Sequence, residues 1–198
     1  MSKLVYVGGI PGVWKTTICS ELCKQLSQCV YVSSGEFKRV ESRKRYGKNL
    51  SSLNQEESYQ INKWFFEEPI EELTRNKEFI FVIDTHYTYT HPENIGEFVN
   101  LCPDEVIPAL DLLVLFEVNP EEVIERRINR GRDRDSINKS QVYLEYKAEM
   151  EEAKRISITY EKPLRIISTL PEKKNVIKEF KKTLETYFIS AWEINNIK

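Results

Sequence analysis

The sequence predicts an α/β protein in which helices cover both faces of a parallel sheet of five strands. Short apolar runs alternate with longer amphipathic ones along the chain, which is the order of elements in such a fold. The short runs are rich in β-branched residues and almost continuously apolar, so both of their faces are expected to be buried. At 198 residues the chain is long enough for one domain with a single core.

The five predicted strands are dominated by valine, isoleucine, leucine and phenylalanine. They cover residues 3–8, 29–33, 79–84, 112–118 and 164–168. The stretches between and after them have helical patterns, at residues 15–28, 53–75 with an interruption at Pro69, 120–130, 138–158 and 176–191. In the last of these, apolar residues recur at steps of three and four, which predicts one buried face.

Two further stretches, 35–52 and 85–104, do not belong to any of these elements. The chain has no internal repeat, no low-complexity tract and no Gly/Ser-rich linker. We therefore interpret both stretches as insertions within a single domain, 1–198, rather than as domain boundaries.

The charges of the chain nearly balance, since 29 Lys and Arg against 31 Asp and Glu give a net charge of -2. No overall positive field favours nucleic acid or an anionic membrane as a partner. No stretch approaches 18 apolar residues, and the opening MSKLVYVGG lacks the apolar run of a signal peptide. We expect a cytoplasmic protein without a membrane partner, and the sequence leaves a homo-oligomer open.

The cysteines do not form a metal-binding pattern. They are Cys19, Cys23, Cys29 and Cys102, with no C-x-x-C pair among them. Cys19 and Cys23 would share a helix face, but zinc would need two more ligands and the only histidines are His86 and His91. Reduced, mostly buried thiols are expected.

Residues 8–17, GGIPGVWKTT, lie between the first predicted strand and the first predicted helix. In such a loop, backbone N–H groups converge on phosphate oxygens, a lysine reaches the outer phosphates and a hydroxyl binds Mg²⁺. The N-terminus of the following helix adds a partial positive charge. The alternative is a Gly/Pro turn without a ligand, but Lys-Thr-Thr at the helix start favours phosphate binding. The predicted ATP-binding residues are Gly9, Pro11, Gly12, Val13, Trp14, Lys15, Thr16 and Thr17.

Trp14 stands where such a loop has its last glycine. Glycine is used there because a Cβ obstructs the backbone conformation or the approach of the ligand. The tryptophan would either strain the turn or point its ring outward and leave the N–H groups in place. Both arrangements stay open at the level of sequence.

Asp84 closes the third predicted strand and is followed by Thr85 and His86. An aspartate at the end of a strand beside a phosphate loop commonly supports the metal held by the loop hydroxyl, here Thr16. The alternative is an aspartate that caps a turn. Because ligands bind at the carboxyl edge of a parallel sheet, we favour the metal site.

The helix predicted at 120–130 has clear ends. Asn119 is expected as the N-cap, Pro120 as the first helical residue and Glu122 as part of a capping box. Gly131 is expected just past the last turn.

Five arginines fall within nine positions at the end of this helix. They are Arg126, Arg127, Arg130, Arg132 and Arg134. The first three lie in the last turns, where cations offset the helix dipole. Arg132 and Arg134 follow the helix and would lie on a mobile lid that neutralises a transferring phosphoryl group. A solvated Arg/Asp surface is the alternative, and contact with RNA has little support from the net charge.

Three motifs together resemble the archaeal adenylate kinases: GGIPGVWKTT, FVIDTHYTYTHP and RRINRGRDRD. The resemblance spans roughly residues 3–185, and the D-T-H-x-T element from Asp84 to Thr88 is its most specific part. It implies a P-loop NTPase fold with ATP and Mg²⁺ as cofactors. It also implies that Lys15 and Thr16 contact the ATP phosphates and the metal, and that Asp84 supports the metal.

The resemblance further implies two regions that close over the substrates. A monophosphate-binding insertion is expected at about 34–75, and a lid at about 126–140 with Arg132 and Arg134 as catalytic residues. The residues expected around the acceptor nucleotide are Ser34, Gly35, Glu36, Arg39, Thr85 and His86.

The sequence departs from the family pattern at three places. The first is Trp14. The second is the family's phosphate-binding arginine after SSGEF, which Arg39, Arg43 or Arg45 would have to replace. The third is the lid with the following helix, RRINRGRDRDSINKSQVYLEY, which is also similar to the R-G-R and Y-L-E segments of deoxynucleoside kinases.

These observations give three functional hypotheses. The first is ATP- and Mg²⁺-dependent phosphoryl transfer to a nucleoside monophosphate, by preference AMP. The second is a nucleoside or other small-molecule kinase, which would need a carboxylate near the acceptor hydroxyl, with Glu36 as the candidate. The third is a non-catalytic nucleotide-binding or scaffold protein whose phosphate loop is disabled by Trp14.

Overall fold

A computed structural model describes residues 2–75, 79–90, 96–131, 136–170 and 172–189. Its strands are β1 (Lys3–Gly8), β2 (Cys29–Ser33), β3 (Ile80–Asp84), β4 (Thr88–Thr90), β5 (Phe98–Asn100), β6 (Leu112–Glu117) and β7 (Leu164–Ser168). Five of them form a parallel sheet in the order β2-β3-β1-β6-β7, while β4 and β5 form a separate antiparallel pair. The predicted five-stranded parallel sheet is confirmed.

The helices are α1 (Lys15–Gln25), α2 (Ser34–Tyr46), α3 (Gln55–Arg75), α4 (Pro120–Arg130), α5 (Lys139–Thr159) and α6 (Lys173–Leu184), the last continued by a π-helical turn. Alternate residues of β1 enter two different cores. Val5 and Val7 pack with α1 and α6, whereas Leu4 and Tyr6 pack with α3 and α5. Helices therefore cover both faces of the sheet, as expected.

The polar stretch 35–52, which the sequence pattern assigned to no helix or strand, contains all but the first residue of α2. Its N-cap is Ser33, whose hydroxyl accepts a hydrogen bond from the backbone N–H of Glu36 at 3.2 Å. It ends at Gly47, which has the left-handed conformation (φ 65°) typical of a helix C-cap. The helix has few apolar residues to produce a periodic signal, so the pattern of the sequence did not predict it.

Two further expectations about helices need correction. The helix α3 continues through position 69, so the predicted interruption at Pro69 is wrong. A proline inside a helix removes one hydrogen bond and clashes with the preceding turn, but does not always end the helix. By contrast, α4 has the predicted caps: Asn119 Oδ1 accepts from the Glu122 N–H at 2.9 Å, and Gly131 (φ 60°) follows the last turn.

The cysteines differ from the expectation of four reduced thiols. Cys23 in the last turns of α1 and Cys29 at the start of β2 form a disulfide, with their Cα atoms 4.7 Å apart. The short connection between the helix and the strand brings the two residues together. Cys19 and Cys102 are free and buried, as expected. Within the described parts of the chain, no helix has the length and apolar character needed to cross a membrane.

Candidate functional site

The predicted phosphate loop connects the end of β1, the central strand, to the start of α1 at Lys15. Two glycines shape it, with φ of 137° at Gly9 and 104° at Gly12, which L side chains rarely adopt. A Cβ on Gly9 would also lie 2.6 Å from the carbonyl oxygen of Phe116. The side chain of Val13 is buried in the core, so a ligand of the loop would meet backbone atoms at this position. This backbone course suits an anion at the N-terminus of α1.

Trp14 adopts the left-handed conformation directly before α1 (φ 65°, ψ 18°). For a residue other than glycine this costs about 1–3 kcal/mol. Two cations lie over the indole ring: its centroid is 3.5 Å from the Arg126 guanidinium carbon and 4.9 Å from Lys173 Nζ. Two hydrogen bonds to Thr169, of 3.0 and 3.1 Å, hold the guanidinium in place. The ring thus contacts side chains of α4 and α6, and the strained turn that the sequence also left open is present as well.

Lys15 is 7% exposed and its side chain turns back over the loop. Its Nζ donates a hydrogen bond to the carbonyl oxygen of Gly9 and lies 3.5 Å from Nδ1 of His86. Burial lowers the pKa of Lys15, while the carboxylates of Asp84 and Glu149 act in the opposite direction. An anion that replaced the carbonyl contacts would hold this lysine in its charged form.

The two predicted metal ligands are in direct contact. Thr16 Oγ1 donates to Asp84 Oδ2 at 2.7 Å, and the Tyr31 hydroxyl donates to the same oxygen at 3.0 Å. Partial burial, aided by the Asp84 charge, raises the pKa of Tyr31 to about 12, so this hydroxyl remains a donor. Mg²⁺ binds to hard oxygen ligands and commonly takes only one or two from the protein. A hydroxyl and a carboxylate beside the phosphate loop fit such an ion.

Glu149 of α5 was not among the predicted residues, yet it joins the loop to the segment after β3. The side chain is 2% exposed. One carboxylate oxygen accepts from the N–H groups of Gly9 at 2.7 Å and Tyr87 at 2.9 Å. The other accepts from the N–H of Thr88 at 2.8 Å and its hydroxyl at 3.0 Å. Burial raises the pKa of Glu149, whereas Lys15 and the hydrogen bonds lower it.

Arg127 has a different role from the helix-end cation that the sequence suggested. Its guanidinium is buried and donates three hydrogen bonds: to the carbonyl oxygens of Pro11 at 2.9 Å and Ser136 at 2.6 Å, and to Glu145 Oε2 at 2.6 Å. It therefore ties α4 to the phosphate loop and to α5. The electrostatic explanation from the helix dipole is insufficient for this residue.

The expected lid at about 126–140 is described only at its two ends, 126–131 and 136–140. Arg132 and Arg134 lie outside the described residues. Their assignment to phosphoryl transfer stays a prediction.

The expected acceptor residue Ser34 begins α2 next to Asp84, because Ser33 at the end of β2 pairs with Asp84 of β3. Ser34 is buried, whereas Gly35 and Glu36 are exposed. Arg39 is also exposed and its Nε donates to the Gly35 carbonyl oxygen at 3.0 Å, within the same helix.

The remaining acceptor candidates, Thr85 and His86, follow β3. Thr85 is buried and its N–H donates to the carbonyl oxygen of Val7 at 3.0 Å, which extends the β1–β3 pairing. The carbonyl oxygen of His86 accepts from the Tyr6 hydroxyl at 2.6 Å. Burial, followed by the Lys15 charge, lowers the pKa of His86 well below its usual value. Both influences disfavour the charged form of the imidazole.

Comparison with known proteins points to one family. Residues 8–142 match the family model described as AAA domain. The chain is 31% identical over 145 residues to the adenylate kinase of Methanocaldococcus jannaschii, covering 68% of this chain and 72% of that protein. It is 27% identical over 140 residues to the adenylate kinase of Methanopyrus kandleri, covering 68% and 71%.

One solved structure shares the fold over almost the whole length. It is that of deoxyadenosine kinase from M. mycoides with dCMP and a flexible dCDP bound as products. The TM-score is 0.58 at 15% identity, with 92% of this chain and 99% of that chain covered. At 15% identity the similarity is evidence for the fold alone, and it supports an α/β fold of the P-loop NTPase type.

Proposed function

The chain belongs to the archaeal adenylate kinase family, and from this membership we propose that it transfers the γ-phosphoryl group of ATP, with Mg²⁺, to a nucleoside monophosphate. AMP is the preferred acceptor in this proposal. The observation that supports it most is the contact between Thr16 and Asp84 at the mouth of the phosphate loop, beside Lys15. These are the groups that a nucleotide kinase uses on its donor side.

The proposed donor site is the loop and the first turn of α1. Its residues are Gly9, Pro11, Gly12, Val13, Trp14, Lys15, Thr16 and Thr17. Thr16 and Asp84 would hold Mg²⁺, which would neutralise part of the charge of the ATP phosphates. Lys15 would exchange its carbonyl contacts for phosphate oxygens, and Arg132 and Arg134 would neutralise the transferring group.

The proposed acceptor site adjoins the donor site across the ends of β2 and β3. It comprises Ser34, Gly35, Glu36, Arg39, Thr85 and His86. A phosphate acceptor is already anionic, so transfer to it requires no general base; positioning and charge neutralisation are sufficient. A hydroxyl acceptor would need a carboxylate as general base, and Glu36, the candidate for that role, is exposed.

An acceptor panel tests this function. Purified protein with ATP and Mg²⁺ is assayed for ADP formation against AMP, other nucleoside monophosphates, and the nucleosides adenosine and deoxyadenosine. We expect turnover with at least AMP and loss of turnover when EDTA is added. Turnover with nucleosides alone would replace the proposal by a nucleoside kinase, and no turnover with any monophosphate would remove it.

Trp14→Gly tests whether the indole interferes with the donor site. Because the ring contacts Arg126 and Lys173, we expect the variant to bind MgATP within about threefold of the wild-type Kd. Isothermal titration calorimetry with a non-hydrolysable ATP analogue measures this directly. An affinity gain of more than about tenfold would mean that the tryptophan obstructs the loop.

A further inference from the structure

Tyr31 of β2 reaches the proposed metal site from a neighbouring strand. The parallel pairing of β2 with β3 places Ser33 beside Asp84, so Tyr31 lies two positions before that partner. Alternate residues of a strand share one face of the sheet, so the side chains of Tyr31, Ser33 and Asp84 are on the same side. A long side chain at position 31 can therefore contact the carboxylate at the end of β3.

The surroundings of Tyr31 fix its position. Its ring packs against the core that lies between the sheet and the helices α1 and α6. Two residues before it, Cys29 is joined by the disulfide to Cys23 of α1. The strand β2 is thus held to β3 by backbone pairing and to α1 by a covalent bond. The tyrosine hydroxyl consequently approaches Asp84 from a defined direction.

Two hydroxyl groups donate to the same oxygen of Asp84, whose side chain is buried. Thr16 Oγ1 lies 2.7 Å and the Tyr31 hydroxyl 3.0 Å from Oδ2. The donors belong to different elements, α1 and β2, so together they restrain the orientation of the carboxylate. Among the described residues no group donates to Oδ1, and this oxygen is available to a cation.

The two hydroxyls differ in what they can do for a metal ion. A hydroxyl has lone pairs besides its proton, so Thr16 can ligate a cation and still donate to Asp84. Tyr31 is needed only as a donor to the carboxylate. Carboxylates that ligate metals are oriented by hydrogen bonds from their neighbours, and loss of such a bond typically lowers metal affinity by about 10- to 100-fold.

We propose that Tyr31 is a positioning residue for the metal, because its hydroxyl orients the Asp84 carboxylate toward Mg²⁺. The inference rests on the proposed function, in which Thr16 and Asp84 hold this ion. Tyr31 itself contacts neither the metal nor the nucleotide. Its loss therefore reduces what Mg²⁺ adds to nucleotide binding and leaves metal-free nucleotide binding unchanged.

The test measures binding of a non-hydrolysable ATP analogue by isothermal titration calorimetry, once with excess Mg²⁺ and once with EDTA. The ratio of the two Kd values is the gain in affinity from the metal. Tyr31→Phe keeps the ring and removes the hydroxyl, and we expect it to lower this gain about tenfold. The Kd in EDTA should stay within about twofold of wild type.

Tyr146→Phe is the matched control. Tyr146 is also half-buried, and its hydroxyl donates at 2.9 Å to a carboxylate at the end of another strand, Glu117 of β6. This variant loses the same kind of hydrogen bond away from Asp84, so it should keep the wild-type gain from Mg²⁺.

A second background shows whether Tyr31 acts through Asp84. In Asp84→Asn the carboxylate is absent, so the additional change Tyr31→Phe should alter the gain by less than about twofold. A tenfold loss in both backgrounds would mean that the hydroxyl acts by another route, which contradicts the inference.

Three further results would overturn the inference. The first is an equal gain from Mg²⁺ in Tyr31→Phe and Tyr146→Phe. The second is an equal loss of affinity with Mg²⁺ and with EDTA, which indicates a disturbed phosphate loop. The third is a wild type whose affinity for the analogue is the same in both conditions.

Failure of the proposed function gives a different result. If no nucleoside monophosphate is phosphorylated, the acceptor assignment fails, but the titrations need no acceptor and still decide the role of Tyr31. Thermal unfolding of each variant confirms that the proteins compared are folded.

Discussion

Replacement of Lys15 by alanine is expected to lower kcat for phosphoryl transfer by about 10²- to 10³-fold. The ammonium is buried at the loop, in contact with the Gly9 carbonyl oxygen and near His86, where it would meet the outer phosphates of ATP. A fixed cation in a desolvated site stabilises the charge of the transferring group far more than one in water does. The measurement is a coupled assay of ADP formation at saturating AMP and MgATP.

The matched control is Lys24→Ala, which removes an exposed lysine from the last turn of the same helix. This variant should retain wild-type kcat. Because burial already lowers the pKa of Lys15, alanine at position 15 relieves a desolvated charge and should not lower the thermal unfolding temperature. A folded Lys15→Ala protein with more than a tenth of wild-type kcat would contradict the assigned role.

The parts of the fold and the site that the sequence predicts correctly are those with local chemical signals. The five parallel strands follow from apolar runs, and the ends of α4 from Asn119 and Gly131. The contact between Thr16 and Asp84 follows from two motifs at the ends of neighbouring strands, since β1 pairs directly with β3. Because neighbouring parallel strands end at the same edge of the sheet, residues that follow their carboxyl ends lie close together.

The residues that sequence analysis missed act through contacts between distant segments. Arg127 and Glu149 are polar residues on the buried sides of α4 and α5, and their partners lie more than a hundred positions away at Pro11 and Gly9. The signal was present in the spacing, because Arg127 follows the buried Val123 by one helical turn. A charged residue at a buried position of a helix indicates that it has a buried hydrogen-bond partner. The spacing of the apolar residues does not show which residue that partner is.

The orientation of Trp14 could not be derived from sequence for a related reason. The sequence leaves open whether Trp14 strains the turn, and the structure shows this residue in the left-handed region directly before α1. Which way the indole points depends on Arg126 and Lys173, whose helices are distant in sequence. Two cations over the ring contribute about 0.5–2 kcal/mol each when partly desolvated, which offsets the cost of the strained backbone.

Glu149 is expected to contribute more to stability than any surface residue of α5. In Glu149→Ala, the buried N–H groups of Gly9, Tyr87 and Thr88 lose their acceptor. Each buried donor left without a partner costs about 1–3 kcal/mol, so the free energy of unfolding should fall by about 3 kcal/mol or more. Urea-induced unfolding followed by circular dichroism measures this change.

Glu149→Gln separates the charge from the shape of the side chain. Its carbonyl oxygen still accepts, but its NH₂ group faces N–H donors. We therefore expect the free energy of unfolding to fall by about half as much as in the alanine variant. Glu151→Ala is the matched control, since the Glu151 side chain is 68% exposed and forms an ion pair with Lys147 at 3.8 Å. It should change stability by less than about 0.5 kcal/mol. If Glu149→Ala unfolds at the same urea concentration as Glu151→Ala, the carboxylate does not hold the phosphate loop to the end of β3, and the loop must keep its shape through Arg127 and its own glycines.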